Sequence, residues 1–315
     1  MKKPLVILTG PTAVGKTDLS ISLAQKVKGL IISADSMQVY KGMDIGTAKI
    51  TPDEMQGVTH YLIDEFEPTH DFSVAEFKEY ANKYMSLIYD AGKIPLIVGG
   101  TGFYIQSVIK DVDFTETAED SEYRSKLYAL AKEHGNDYLH DMLSGVDPES
   151  AKAIHANNVK RVIRALEFNH QTGEQISRHN EKERRKESPY NYAYFVLNDE
   201  RNKLYERIDK RIDIMIEEGL IDEVQHLRDM GLDSSFVSMK GLGYKEILAY
   251  LNGEYTLEEA VYILKRDTRH FAKRQLTWFR RETDVIWINK QDFGYDRERI
   301  LEFMMNILYD KKIVN

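Results

Sequence analysis

The 315-residue chain is 42% hydrophobic and 30% charged with a net charge of −8, enough to build a packed core in one large domain or two modest ones. It contains no cysteine, which excludes disulfides and thiolate metal sites. No apolar run approaches the ~20 residues of a membrane span, and the first apolar run is too short for a signal peptide, so a cytoplasmic chain without a membrane partner is expected. Taken alone, the acidic balance argues against nucleic acid.

In chain order, the apolar run at 5–8 predicts a strand. Gly10, Pro11, Thr12, Ala13, Val14, Gly15, Lys16 and Thr17 follow it in the pattern G-x-x-x-x-G-K-T. Strand, glycine-bounded loop and helix in that order make a phosphate-binding loop. Gly10 and Gly15 let the backbone turn and bring N–H groups close to an anion. The helix N-terminus adds unpaired donors and partial positive charge. Lys16 brings a full charge, and the Thr17 hydroxyl suits Mg²⁺. The loop does not say which phosphorylated molecule it holds.

A helix over 18–28 carries Leu19, Leu23, Ala24 and Val27 on one face, with Gly29 as its expected C-cap. The strand at 30–33 delivers Asp35 to the carboxyl rim of a parallel sheet, where ligands gather. On sheet geometry alone Asp35 is either a turn cap or a functional acid. Residues 37–49 are glycine-spaced, aperiodic and too apolar for disorder, which points to a functional loop. A short strand at 61–64 and a helix over 72–91 follow, the helix turning Phe77, Tyr80, Ala81, Tyr84, Leu87 and Ile88 inward. A buried strand at 94–98 then ends in Gly99-Gly100-Thr101-Gly102. A P-loop ATPase ends such a strand in a Mg²⁺-holding aspartate. Here Thr101 stands instead, which leaves Asp35 as the main acid on the rim, either to orient a metal-bound water or to act as a general base.

From 115 to 186 the chain turns helical and charged and reads as an insertion in the α/β core of 1–114 and 187–315. Asp147-Pro148-Glu149 is a helix start. The helix over 157–168 exposes Lys160, Arg161 and Arg164, and 178–186 is a further charged run. The sheet resumes at 192–197. One long helical stretch is expected over 201–230, with Leu204, Ile208, Ile212, Met215 and Ile216 as its core face. Arg207 and Arg211 share another face, as a surface pair or as an anion clamp. A second glycine loop at 239–246 opens a helix. The helix over 257–281 gathers Lys265, Arg266, Arg269, His270, Lys273 and Arg274 with interleaved aromatics. Positive charge concentrated on one helix of an acidic chain suggests an anionic polymer partner; the alternative is an amphipathic surface helix. A strand at 285–288 and a helix over 296–308 complete an α/β fold, a P-loop NTPase-like parallel sheet flanked by helices.

Six stretches, in order, together resemble the bacterial tRNA dimethylallyltransferases, also called tRNA isopentenyltransferases. They are GPTAVGKT at 10–17, SADSMQVYKGMDIGTAK at 33–49, VGGTG at 98–102, NVKRVIRALE at 158–167, GLGYKE at 241–246 and FAKRQLTWFR at 271–280. The phosphate loop alone is not specific; the 33–49 and 271–280 stretches are. The resemblance implies transfer of a dimethylallyl group from dimethylallyl diphosphate to the exocyclic amine of an adenosine beside the tRNA anticodon. The loop then holds a leaving diphosphate, with Lys16 and Mg²⁺ at Thr17 stabilising its charge. By the same resemblance Asp35 takes the amine proton and Thr101 places the amine. Ser36, Met37 and Gln38 line the adenine, and Arg207 or Arg211 meets the diphosphate. The anticodon stem-loop would meet Arg124, Lys160, Arg161, Arg164, Lys273, Arg274 and Gln275. Nothing demands a dimer, so a monomer is expected. The residues alone leave two rivals, an ATP-using small-molecule kinase and a non-catalytic RNA-binding protein.

Overall fold

A computed structural model of the chain describes residues 2–114 and 120–314. The expected start of the insertion, at 115, lies outside the described residues. The chain divides into two compact units, one of residues up to Val108 with Pro189 onward, the other Ile109–Ser188.

In the first unit β1 (Lys3–Thr9) runs through the glycine loop into α1 (Lys16–Val27). Then come β2 (Gly29–Ser33), the two-residue β3 (His60–Tyr61), α2 (Val74–Asp90), β4 (Ile94–Gly99) and α3 (Gly102–Ile109). The second unit holds α4 (Ser121–His134), α5 (Asn136–Val146), α6 (Pro148–Ala153), α7 (Val159–Thr172) and α8 (Ile176–Arg185). The first unit resumes with β5 (Tyr190–Asn198), α9 (Arg201–Glu217), α10 (Leu220–Asp229), α11 (Tyr244–Leu251), α12 (Leu257–Phe279), β6 (Val285–Asn289) and α13 (Arg297–Asp310). The strands form one sheet in the order β3-β2-β4-β1-β5-β6, with every pair parallel. This is the expected α/β architecture. Leu5, Val6, Ile7 and Leu8 are fully buried, as strands covered on both faces require. α1, α2 and α13 pack against the strands.

Several expected boundaries shift for local reasons. α1 begins at Lys16 and is closed by Lys28 in the left-handed region, not by Gly29. Gly29 instead opens β2, where a Cβ would lie 2.2 Å from the Leu96 side chain and 2.7 Å from the Ile94 carbonyl. On α2, Met85 is buried and Leu87 is half exposed, reversing the expected facing of that turn. Its start is fixed by a capping box between Ser73 and Glu76. The expected strand at 61–64 shrinks to His60–Tyr61. The stretch 201–230 breaks into α9 and α10 at Gly219, whose φ of +104° suits glycine alone.

The second unit has its own core, built by Leu127, Leu139, Leu143, Val162, Ile163 and Leu166. Buried Asp147 caps α6 and accepts hydrogen bonds from the amides and hydroxyls of both Ser150 and Ser177, tying α6 to α8.

Candidate active site

The carboxyl ends of adjacent strands meet on one rim. β1 lies between β4 and β5, and β4 between β2 and β1, so the loops after all four converge around the phosphate loop. In that loop Gly10 (φ +147°), Ala13 (φ +61°) and Gly15 (φ +93°) take backbone conformations that turn the chain sharply into α1. No side chain caps the N-terminus of α1, which leaves its first amides open to an anion. Pro11 and Val14 are buried, Thr12 and Ala13 face a cavity, and Gly15 and Thr17 are exposed. Thr17 borders a smaller hollow with Ser33 and Gln38.

Three cations grip the carbonyls of this loop. Lys16 Nζ donates to Gly10 O at 3.0 Å and Pro11 O at 2.8 Å. Burial of this ammonium pulls its pKa down to about 8, against the attraction of Asp35. Arg207 Nε donates to Ala13 O at 3.0 Å, and its guanidinium pairs with Asp199 at 2.5 Å. Lys290 Nζ reaches Val14 O at 3.3 Å and lies 3.8 Å from the same aspartate. Asp199 follows β5, is fully buried as a side chain, and also accepts from Glu200 N and Tyr295 Oη. Arg207 is therefore a brace behind the loop. Arg211, one turn further along α9, lines the cavity. Of the expected pair, Arg211 is the one placed to meet a ligand.

The cavity, about 390 Å³, holds Asp35, Ser36, Met37 and Thr101 together with Thr12, Ala13, Arg211 and Arg274. Asp35 Oδ1 accepts from Met37 N at 2.9 Å, which sets the turn after β2. Thr101 N donates to Ala34 O at 3.1 Å, fastening the end of β4 to the residue before Asp35. This approach needs Gly99: a Cβ there would lie 2.3 Å from Ala34 backbone atoms. The opposite wall is apolar. Ile208, Ile212 and Met215 form one stripe of α9, and Leu264 and Phe271 one stripe of α12. A carboxylate, a hydroxyl, an anion cradle and a short apolar slot thus share one space.

Five expected contact residues have their polar groups engaged within the protein, although Gln275 also lines the cavity. Gln38 turns away from the cavity, and its amide donates to Thr47 O and Ala48 O, both at 3.2 Å. Gln275 is buried; it accepts from Thr12 N at 2.9 Å and donates to Gly100 O at 3.0 Å, clasping the phosphate loop to the end of β4. Arg124 and Arg164 both bind Glu167, Arg124 through two bonds of 2.8 and 2.9 Å and Arg164 at 2.7 Å. Glu167 has no exposed side-chain surface, so these arginines neutralise a buried acid instead of presenting a free cationic face. The fifth is Arg207. Lys160, Arg161 and Lys273 are exposed as expected, and Arg274 combines exposure with a place on the cavity wall. The charge of α12 is partly spent on acids: Lys265 on Asp213, Arg269 on Asp209 and Arg266 on Asp267.

A family model described as IPP transferase matches residues 38–282. The chain belongs to the IPP transferase family. A tRNA dimethylallyltransferase of Lachnoclostridium phytofermentans is 62% identical over 312 residues, covering 99% of both chains. The full-length tRNA isopentenylpyrophosphate transferase of Bacillus halodurans superposes with a TM-score of 0.74 at 46% identity, covering 99% of this chain and 98% of that one. A eukaryotic dimethylallyltransferase acting on tRNA superposes with a TM-score of 0.77 at 28% identity, covering 93% of this chain and 75% of that one. In this IPP transferase, the braces Asp199 and Lys290 escaped sequence reasoning. Both directly follow strands, β5 and β6. The rim argument that singled out Asp35 would have found them had it been applied to every strand.

Proposed function

We propose that the chain is a tRNA dimethylallyltransferase. It moves the dimethylallyl group of dimethylallyl diphosphate to the exocyclic N6 amine of the adenosine 3′-adjacent to the anticodon, in tRNAs reading codons that begin with U, and releases diphosphate. The observation that carries this reading is the single cavity joining Asp35 and Thr101 to the phosphate loop and an apolar wall. A kinase needs the cradle and a base but has no use for the slot formed by Ile208, Ile212, Met215 and Phe271.

The chemistry follows from that arrangement. The C1–O bond of the donor breaks, and its electron pair leaves with the diphosphate. The amides of the loop and α1, Lys16 and Arg211 stabilise that charge. The adenosine N6 forms a bond to C1, and its proton passes to the Asp35 carboxylate. Thr101 orients the amine, and Ser36 and Met37 border the base, which must leave its stack to enter. The apolar slot excludes water from the allylic carbon. We assign Mg²⁺ to the exposed Thr17 hydroxyl and to oxygens of the donor, a hard cation on oxygen ligands. Such an ion supplies added charge neutralisation for the departing diphosphate.

Lys160, Arg161, Lys273 and Arg274 are the cations we assign to phosphates of the anticodon stem-loop; they set affinity more than sequence choice. The enzyme acts as a monomer in the cytoplasm, and among the described residues no helix is long and apolar enough to cross a membrane. The test is incubation with Mg²⁺, labelled dimethylallyl diphosphate and unmodified tRNA, followed by digestion to nucleosides. Label on adenosine without ATP is expected. Label absent from tRNA, with ATP phosphate passed to a small acceptor, would overturn the reading.

A further inference from the structure

Part of the cavity wall is a loop without regular structure, residues 44–48, and one carboxylate from another element holds it. Glu223, on α10, accepts from three successive backbone amides: Asp44 N at 2.9 Å, Ile45 N at 2.7 Å and Gly46 N at 3.1 Å. It also accepts from Tyr244 Oη, at the start of α11, at 2.6 Å. Successive amides turned to one side form a concavity that takes an anion, and here the anion belongs to the chain itself. Burial, and then Glu223, hold the Tyr244 phenol far above its ordinary pKa, so it stays a donor. Gly46 completes the fit, since a Cβ there would lie 2.6 Å from the Tyr244 ring.

The hold continues to the reacting groups. Gly46, Thr47 and Ala48 line the cavity. Thr47 O and Ala48 O accept from the Gln38 amide. Gln38 N also donates to Asp35 Oδ1, at 3.4 Å, beside the shorter bond from Met37 N. A path of hydrogen bonds therefore runs from α10 through residues 44–48 and Gln38 to the turn that carries Asp35.

We propose that Glu223 is a positioning residue that fixes the 44–48 loop, and through Gln38 the Asp35 turn, against the incoming adenosine. The proposal rests on the function given above. Glu223 touches no reacting atom; it acts by setting where Asp35 and the base meet. Misplacement by about 1 Å costs on the order of 10²-fold in such reactions.

The test compares wild type, Glu223→Gln and Tyr244→Phe in the full chain. Glu223→Gln keeps the shape but turns an NH₂ group toward donors. Amide hydrogen exchange at 44–46 should accelerate, and single-turnover transfer to tRNA should slow by roughly 10²-fold. Affinity for dimethylallyl diphosphate should stay within about twofold, because the phosphate loop is held by other groups. Tyr244→Phe, which removes one of the four bonds, should shift both readouts the same way by less, and it carries the test if Glu223→Gln does not fold. Wild-type transfer by both variants would overturn the proposal. So would a loss of donor affinity equal to the loss of transfer, which would mark Glu223 as a general fold residue. If the wild type transfers nothing while Glu223→Gln still frees the amides, the assigned reaction fails and the loop latch stands.

Discussion

Arg207 and Arg211 lie one helical turn apart and do different work. Arg207 Nε holds Ala13 O and its guanidinium covers buried Asp199, whereas Arg211 faces the cavity. Arg211→Ala should therefore lower kcat/KM for the donor by about 10–100-fold, the worth of hydrogen bonds to a charged group, with melting unchanged. Arg207→Ala should destabilise the fold by about 1–3 kcal/mol, read as a lower Tm, because it strips a partner from a buried carboxylate. Equal behaviour of the two variants in both assays would contradict the division. The sequence showed both arginines on one face but could not rank them, since the partner that occupies Arg207 comes from the end of another strand. Asp35 and Thr101 were legible because each comes two residues after a strand that an apolar run announces. Gln275 was not: its amide is used by Thr12 and Gly100, distant in sequence.

Helix pairing decides what the charged segments do. In the second unit α4 and α7 are joined through Arg124, Glu167 and Arg164. Burial pushes the Glu167 carboxyl up, but its hydrogen bonds to Arg124 and Arg164 outweigh this and hold it below its ordinary value. A carboxyl depressed in the folded state stabilises above its unfolded pKa of about 4.3, and that stability is lost as pH falls through the lower folded value. The protection of amides in α4 and α7, relative to their intrinsic exchange rate at each pH, should therefore fall in acid below about pH 4. Glu167→Gln should weaken the pair at neutral pH and flatten that dependence; an unchanged acid profile would contradict it. In the sequence Arg164 sat on a basic helix and Arg124 entered only through the family resemblance; helical periodicity places side chains on a face but cannot show an acid across from them. The break between α9 and α10 was hidden similarly: apolar spacing runs through Gly219, and only its positive φ marks the stop. α3 escaped because GFYIQSVI is apolar with no clear period.

At the scale of the whole molecule, sheet order is what makes the site. Placing β1 between β4 and β5 brings the cradle, the Thr101 segment and Asp199 to one rim, and β2 adds Asp35 beside β4. The alternation of strands and helices was legible from apolar runs and turn residues. The strand order was not, because it is set by which faces pack in three dimensions. The exposed cations assigned to tRNA give a further expectation. Lys160→Ala and Lys273→Ala should each weaken tRNA binding and reduce the salt dependence of log K by about one unit of slope, leaving donor affinity unchanged. A slope equal to wild type would remove that residue from the interface. The central claim is that one cavity holds donor and adenosine with Asp35 as the base. Single-turnover transfer by wild type and Asp35→Asn, with tRNA and donor binding measured on the same samples, tests it most directly. The account predicts that Asp35→Asn binds both substrates within a few-fold of wild type while transferring the dimethylallyl group about 10²–10⁴-fold more slowly; transfer at the wild-type rate, or equal losses in binding and transfer, would contradict it.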